Sequence, residues 1–255
     1  MDVFEKSKLR YVITIWILSL IIGLVLINYI SQLEQLYLKD KIVAEYIVNI
    51  IWILLIIILI FKRDSKKIKS IIDIKKMNLK LIVHNYLLLS GTYIGYALLV
   101  IPDDNNELPT KSILFIVYGI ILAPLIEEIF FRGFLFYRIK SKIGLKSGII
   151  ISSLIFALLH FDLNIIGRVI FAMLAAILCL ETNNLINSIV LHIINNLTVF
   201  IIYFLSSQSL FTSVTQNEIT ILVIIAFVSI LISIIVSVIY IKNKFIKLKN
   251  KEITI

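Results

Sequence analysis

Disulfide chemistry and flexible linkers are nearly absent from this sequence. Its only cysteine, Cys179, lies within an apolar run, so no intramolecular disulfide can form and we expect an inert core thiol. The 255 residues include only three prolines and eight glycines, and no Ser/Pro/Gly-rich stretch or internal repeat divides them. These absences predict a single transmembrane domain over residues 1–255.

Charged residues are also scarce. They make up 16% of the chain, whereas 60% of the residues are hydrophobic and the mean hydropathy is +1.03, far above the values of a soluble domain. The sequence therefore predicts an all-α, polytopic membrane protein. The net charge of 25 minus 16, or +9, resides in short basic clusters between apolar runs. That distribution favours anionic lipids at the cytoplasmic face as a partner, rather than nucleic acid.

Apolar runs long enough to cross a hydrocarbon core of ~30 Å recur eight times. The first run is not followed by a small-x-small cleavage signal, so we expect a retained helix. The fifth and sixth runs are short and nearly continuous, which leaves a merged or re-entrant form open. We predict about eight transmembrane helices, near residues 11–30, 42–61, 80–101, 112–137, 147–161, 164–180, 185–204 and 219–241.

Lysines and arginines fall into four clusters, which an eight-span topology places on one side of the membrane. The clusters lie near residues 6–10, 66–76, 138–146 and 242–251. The loops on the other side, around 102–109 and 206–218, are acidic or carry little charge. Because basic loops are retained in the cytoplasm, this pattern predicts a multi-pass protein of the cell membrane with both termini cytoplasmic.

Three charged residues interrupt the fourth apolar run. A charge at the centre of a spanning helix costs roughly 2.5–3.5 kcal/mol on insertion scales, so each one requires a reason. Glu128 and Arg132 are four residues apart and can form an ion pair on one face, whereas Glu127 is rotated by about 100°. Pro124 lacks an N–H and is expected to kink the helix here. The charges could lock helix packing, or Glu127 could be available for chemistry.

Two of the three histidines also lie within apolar runs. Phe156 and His160 are four residues apart, as are His192 and Asn196, so each pair shares a helical face. Taken alone, a membrane histidine more often bonds to a neighbouring helix than it catalyses a reaction. At ~1.5 Å per residue, however, both histidines, Asn196 and Glu127 lie roughly 10–20 Å from the cytoplasmic helix ends. This depth predicts one shared site within the bilayer.

Three motifs thus follow one another on separate predicted helices: E-E-x-x-x-R from Glu127, F-x-x-x-H from Phe156 and H-x-x-x-N from His192. Together they resemble the CPBP (Abi) family, which includes type II CAAX prenyl endopeptidases and bacteriocin self-immunity proteins. The resemblance extends over a catalytic core at 112–204. The sixth predicted helix departs from the family, since alanines stand where relatives often have glycines, at Ala172, Ala175 and Ala176.

The resemblance implies an intramembrane endopeptidase that forms no covalent acyl-enzyme. In such an enzyme, Glu127 and His160 would deprotonate the water that attacks the scissile carbonyl. His192 and Asn196 would donate hydrogen bonds to the resulting oxyanion. The accessory residues that would hold the helix and tune the site are Glu128 and Arg132. The substrate would be a membrane-embedded or membrane-associated peptide or protein.

This scheme requires no cofactor and no metal. A zinc-dependent protease is the alternative, with Zn²⁺ bound by Glu127, His160 and His192. Against zinc, the two histidines do not form an H-x-x-x-H pair, and Asn196 is a poor zinc ligand but a good oxyanion donor.

Two other classes of function use the same residues differently. A non-catalytic immunity or interaction protein could bind and block a membrane-active peptide, but such a protein need not retain the full set of motif residues. A proton-coupled transporter could use intramembrane Glu and His as a relay. The sequence lacks the paired broken helices in corresponding halves that would favour a transporter.

Overall fold

The computed structural model describes residues 9–99, 113–160, 164–206 and 216–253, nearly all of which are helical. No strand occurs in these ranges, so the predicted all-α class is confirmed. The helices are α1 (Leu9–Tyr29), α2 (Ser31–Lys39), α3 (Ile42–Ile71), α4 (Leu79–Leu88), α5 (Ser90–Leu99), α6 (Ile113–Ile143), α7 (Leu145–Leu158), α8 (Ile165–Thr182), α9 (Leu185–Ser206) and α10 (Gln216–Ile253).

Among the described residues, five helices are long and apolar enough to cross a membrane, namely α1, α6, α8, α9 and α10. Three shorter apolar helices occupy the other predicted spans, at Ile42–Ile58, Leu79–Leu88 and Leu145–Leu158. The chain is a multi-pass membrane protein, but the count of eight spans is not confirmed. α7 and α8 are separate helices that pack against each other rather than one merged span.

The predicted topology is tested only in part by these helices. The loop at 102–109 and residues 207–215 of the other weakly charged loop lie outside the described residues. The placement of both termini in the cytoplasm stays a prediction. We call the end of a helix that lies next to a basic cluster its basic end.

Helix α8 lies at the centre of the helix bundle. Its side chains from residue 174 to residue 179 are fully buried, and Cys179 is among them, as expected from its apolar surroundings. Helices α7 and α9 both pack against α8, whose buried residues include the small side chains of Ala172 and Ala176. By contrast, α1 and α10 expose large apolar side chains such as Trp16 and Phe227, as a lipid-facing surface requires.

A seam of small residues joins α5 to α10. A Cβ added to Gly91 would lie 2.3 Å from the Ser229 carbonyl oxygen, so only glycine allows the two backbones to approach this closely. Where the chain turns from α4 to α5, the Leu88 carbonyl accepts a 2.6 Å hydrogen bond from the hydroxyl of Ser233 on α10. The seam therefore fixes both halves of the broken α4–α5 segment against one long helix.

Two buried asparagines at the start of α9 hold the connection between α3 and α4. Asn184 Nδ2 donates a 2.6 Å hydrogen bond to the carbonyl of Asp73, and Asn187 Oδ1 accepts one of 2.7 Å from the N–H of Asn78. Just before them, Asn183 adopts a left-handed φ of 48°, which ends α8 and turns the chain into α9. These contacts anchor the basic end of the helix that carries the H-x-x-x-N motif.

Candidate active site

The two glutamates of the E-E-x-x-x-R motif lie on α6 between two π-helical turns, at Tyr118–Leu122 and Ile129–Leu135, and Arg132 lies within the second turn. The N–H of Ala123 bonds to the carbonyl of Tyr118, five residues earlier, and the N–H of Phe136 bonds to that of Phe131 in the same way. Each π turn accommodates one extra residue and turns the following side chains to a new direction. The interruption expected at Pro124 is thus a change of helical pitch on both sides of the glutamates.

Pro124 has a specific consequence for the first π turn. In the π pattern, the carbonyl of Gly119 would accept from residue 124, but proline has no N–H to donate. Asn196 of α9 takes that place, and its Nδ2 donates a 2.8 Å hydrogen bond to the Gly119 carbonyl. Because Pro124 cannot donate to the Gly119 carbonyl, this carbonyl is available to bind Asn196, the last residue of the H-x-x-x-N motif.

Glu128 is the centre of a buried ionic network. Its side chain is fully buried, and Oε1 lies 2.7 Å from Arg132 Nη1 and 2.9 Å from His192 Nδ1. The guanidinium of Arg132 packs over the ring of Phe156 at 4.5 Å, and the ring centroid of Phe171 is 4.7 Å from that of His192. The ion pair predicted from the i, i+4 spacing is confirmed, and it includes His192 as a second partner.

Glu127 differs from its neighbour in both exposure and partners. Its side chain is 30% exposed, whereas that of Glu128 is not exposed at all. Its Oε2 lies 3.7 Å from His160 Nε2 and 3.8 Å from His192 Nε2, beyond hydrogen-bonding distance, and accepts no hydrogen bond from the described residues. Two imidazoles, one just beyond the end of α7 and one on α9, therefore face one carboxylate oxygen.

The far nitrogen of each imidazole has its own partner. His160 Nδ1 is 2.7 Å from the carbonyl of Phe156, which can only accept, so Nδ1 carries the proton. In the neutral ring, Nε2 of His160 is then a base directed at Glu127. His192 Nδ1 bonds in the same way to Glu128. The His160 ring is thus bonded to a backbone carbonyl in the last turn of α7, whereas the His192 ring is bonded to a carboxylate of α6.

The structure brings together Glu127, His160 and His192 as one cluster, with Glu128 and Arg132 directly behind it. Asn196 lies one turn beyond His192 on α9 and contacts α6 through Gly119. Sequence reasoning missed the Gly119 carbonyl and the neighbouring Asn195, which donates to Asn196 Oδ1 at 3.0 Å. The Asn195-Asn196 doublet within an apolar run was the available signal.

Comparison with protein families adds an independent finding. Residues 109–198 match the family described as Type II CAAX prenyl endopeptidase Rce1-like. This segment is Rce1-like. The match confirms the resemblance drawn from the three motifs and includes every residue of the predicted site. No curated protein and no solved structure matches the chain.

This segment therefore resembles intramembrane endopeptidases of the CAAX type, a class whose substrates are embedded in or associated with the membrane. It extends from near the start of α6 into α9, so Glu127, His160 and His192 all lie within it. Helices α1 to α5 and α10 lie outside the match.

A tetrahedral zinc ion would require ligand atoms roughly 3.3–3.6 Å apart, given metal–ligand distances of about 2.0–2.2 Å. The 3.7 and 3.8 Å separations from Glu127 Oε2 are somewhat longer. Among the described residues, no group of three or more His, Cys, Asp or Glu side chains is arranged to hold a metal. The metal-free scheme stays a prediction.

Proposed function

We propose that this chain is an intramembrane endopeptidase in which Glu127 and His160 activate a water molecule for attack on a peptide carbonyl. The observation that carries the proposal is the convergence of two Nε2 atoms on one carboxylate oxygen within 3.8 Å. A water held between these atoms would find two proton acceptors, the carboxylate and the Nε2 of His160. A general base needs such contact with the proton it removes.

In the proposed reaction, the water gives a proton to the Glu127–His160 pair while its oxygen bonds to the carbonyl carbon. The carbonyl oxygen then carries the negative charge. When the carbon–nitrogen bond breaks, the departing amine takes up the proton that the pair received. Water is the only co-reactant, and no residue is covalently modified.

His192 and Asn196 are proposed to stabilise the oxyanion. Because Nδ1 of His192 donates to Glu128, its Nε2 can donate only when the ring is doubly protonated. A protonated His192 and Arg132 would balance the two glutamates, so the buried cluster would carry no net charge, as a low-dielectric site requires. Asn196 uses one amide hydrogen on Gly119 and has a second for the substrate.

The test uses purified protein in lipid nanodiscs and a fluorogenic CAAX peptide, presented with and without a farnesyl group. Glu127→Gln and His160→Gln should lower kcat at least about 100-fold, which is the smaller end of general-base effects. His84 is the matched control, because it is exposed and contacts Tyr240 away from the site. His84→Gln should keep wild-type activity, and a chelator should not change it.

A search for substrates in cell membranes tests the proposed activity without relying on the chosen peptides. Peptide N-termini that appear with the wild type and not with Glu127→Gln would identify the cleaved proteins. Equal cleavage by wild type and Glu127→Gln would contradict the catalytic assignment. Activity lost on chelation and restored by zinc would favour the metalloprotease instead. New N-termini absent in both proteins would favour a non-catalytic binding or immunity role.

A further inference from the structure

A chain of hydrogen bonds begins outside the Rce1-like segment and passes through Asn196 to α6. The hydroxyl of Tyr93 on α5 bonds to Asn195 Oδ1 at 2.7 Å, and Asn195 Nδ2 bonds to Asn196 Oδ1 at 3.0 Å. Asn196 Nδ2 then bonds to the Gly119 carbonyl at 2.8 Å. The chain crosses from α5 through α9 to α6.

The Gly119 carbonyl determines the direction of every link. A carbonyl only accepts, so Asn196 must turn its nitrogen towards α6 and its oxygen towards Asn195. Asn195 must then present its nitrogen to Asn196 and its oxygen to Tyr93, whose hydroxyl becomes the donor. Reversing either amide would place two acceptors or two donors against each other. Partly buried polar groups left unpaired in this way are costly, so one orientation is favoured.

We propose that Tyr93 and Asn195 are positioning residues that hold the amide nitrogen of Asn196 towards the reacting centre. The inference rests on the proposed function, in which that amide donates to the oxyanion. An isolated asparagine amide can rotate by 180° and present its oxygen, which would repel the oxyanion. The hydroxyl of Tyr93 opposes this rotation through Asn195, two hydrogen bonds away from Asn196, without touching the substrate.

The protein contains a matched control residue for Tyr93. Tyr86 on α4 stacks on Tyr93, with ring centroids 5.2 Å apart, and its hydroxyl bonds to Thr198 of α9 at 2.9 Å. Both tyrosines therefore link the α4–α5 segment to α9 through one hydroxyl. Only the hydroxyl of Tyr93 belongs to the chain of hydrogen bonds that reaches Asn196. Replacing either tyrosine with phenylalanine keeps the stacked rings and removes one hydrogen bond.

Steady-state cleavage of the fluorogenic CAAX peptide in nanodiscs tests the proposal. Tyr93→Phe should lower kcat about tenfold and leave KM within about twofold, because orientation of an oxyanion donor affects the transition state more than substrate binding. Tyr86→Phe should leave both constants within about twofold. Equal effects of the two substitutions would overturn the proposal.

A double-mutant cycle tests whether Tyr93 acts through Asn195. Asn195→Leu removes both of its hydrogen bonds at similar volume, and we expect the same loss of kcat or a larger one. The Tyr93→Phe/Asn195→Leu double variant should then be no slower than Asn195→Leu alone. If the fold-losses in kcat of the two single variants multiply in the double variant, the two residues act independently. That result would contradict the chain of hydrogen bonds.

Side-chain amide NMR gives a readout that does not depend on proteolysis. In protein with ¹⁵N-labelled asparagine, the Asn196 amide resonance, assigned with Asn196→Ala, should shift in Tyr93→Phe and not in Tyr86→Phe. An unchanged resonance in Tyr93→Phe would overturn the positioning role even if the enzyme is active. If the wild type cleaves no peptide, the proposed function fails, and this comparison alone decides whether Tyr93 orients Asn196.

Discussion

Replacing Arg132 with methionine should destabilise the protein by about 3–5 kcal/mol, the range expected when one partner of a buried ion pair is removed. Glu128 is fully buried, and its Oε1 has Arg132 and His192 as its two basic partners. Methionine preserves an apolar stem and a contact with the Phe156 ring, so the loss would come from charge rather than packing. For a chain of this size, the apparent Tm should fall by roughly 6–20 °C.

The double variant Glu128→Gln/Arg132→Met provides the decisive comparison. It removes both charges, so it should regain a large part of the stability that Arg132→Met loses, at least about 2 kcal/mol. Lys142→Met, at an exposed position on the same helix, should change the stability by no more than about 0.5 kcal/mol. Thermal unfolding in nanodiscs measures all three. A double variant as unstable as Arg132→Met would refute the view that an unpaired Glu128 carboxylate is what destabilises the protein.

Two further predictions concern the backbone of α5 and α6. Gly91→Ala should destabilise by about 1–3 kcal/mol, because its Cβ would overlap the Ser229 carbonyl, whereas Gly119→Ala meets no atom within 4 Å and should change stability by less than about 1 kcal/mol. Equal unfolding temperatures in nanodiscs would contradict the tight α5–α10 seam. Pro124→Ala would offer a backbone N–H to the Gly119 carbonyl in competition with Asn196, so kcat should fall at least severalfold while the Tm is kept or raised. Full cleavage activity in Pro124→Ala would show that the proline does not serve the site.

The helix positions and the ionic pair were within reach of the sequence. The apolar runs begin and end within a few residues of α1, α8 and α9, because hydropathy and the basic clusters directly mark where a helix leaves the membrane. The i, i+4 spacing identified the Glu128–Arg132 pair, since that contact lies within one helix. Depth along each helix was enough to group Glu127 with His160, which are 3.7 Å apart.

The sequence could not predict contacts that depend on the rotation of a helix about its own axis. Whether His192 faces Glu127, Glu128 or both depends on how α9 is turned against α6, and spacing within α9 does not contain that angle. The same holds for Tyr93 and Asn195, which meet only because α5 packs beside α9. The count of eight spans is also not confirmed, because the break at Leu89 and the short α7 leave apolar helices among the described residues below spanning length.

The two π turns of α6 also bear on how sequences of this kind can be aligned. A π turn is equivalent to one residue inserted into an α-helix, so α6 behaves as three helical segments, each with its own phase. A relative that lacks one residue between Tyr118 and Pro124 would keep its E-E-x-x-x-R motif and its helix length almost unchanged. If the relative continues through this region as a regular α-helix, its glutamates would face nearly the same direction, because the π turn takes up the extra residue. In this part of the chain, a one-residue gap in an alignment therefore marks the loss of a π turn, and the groups that face the histidines stay the same.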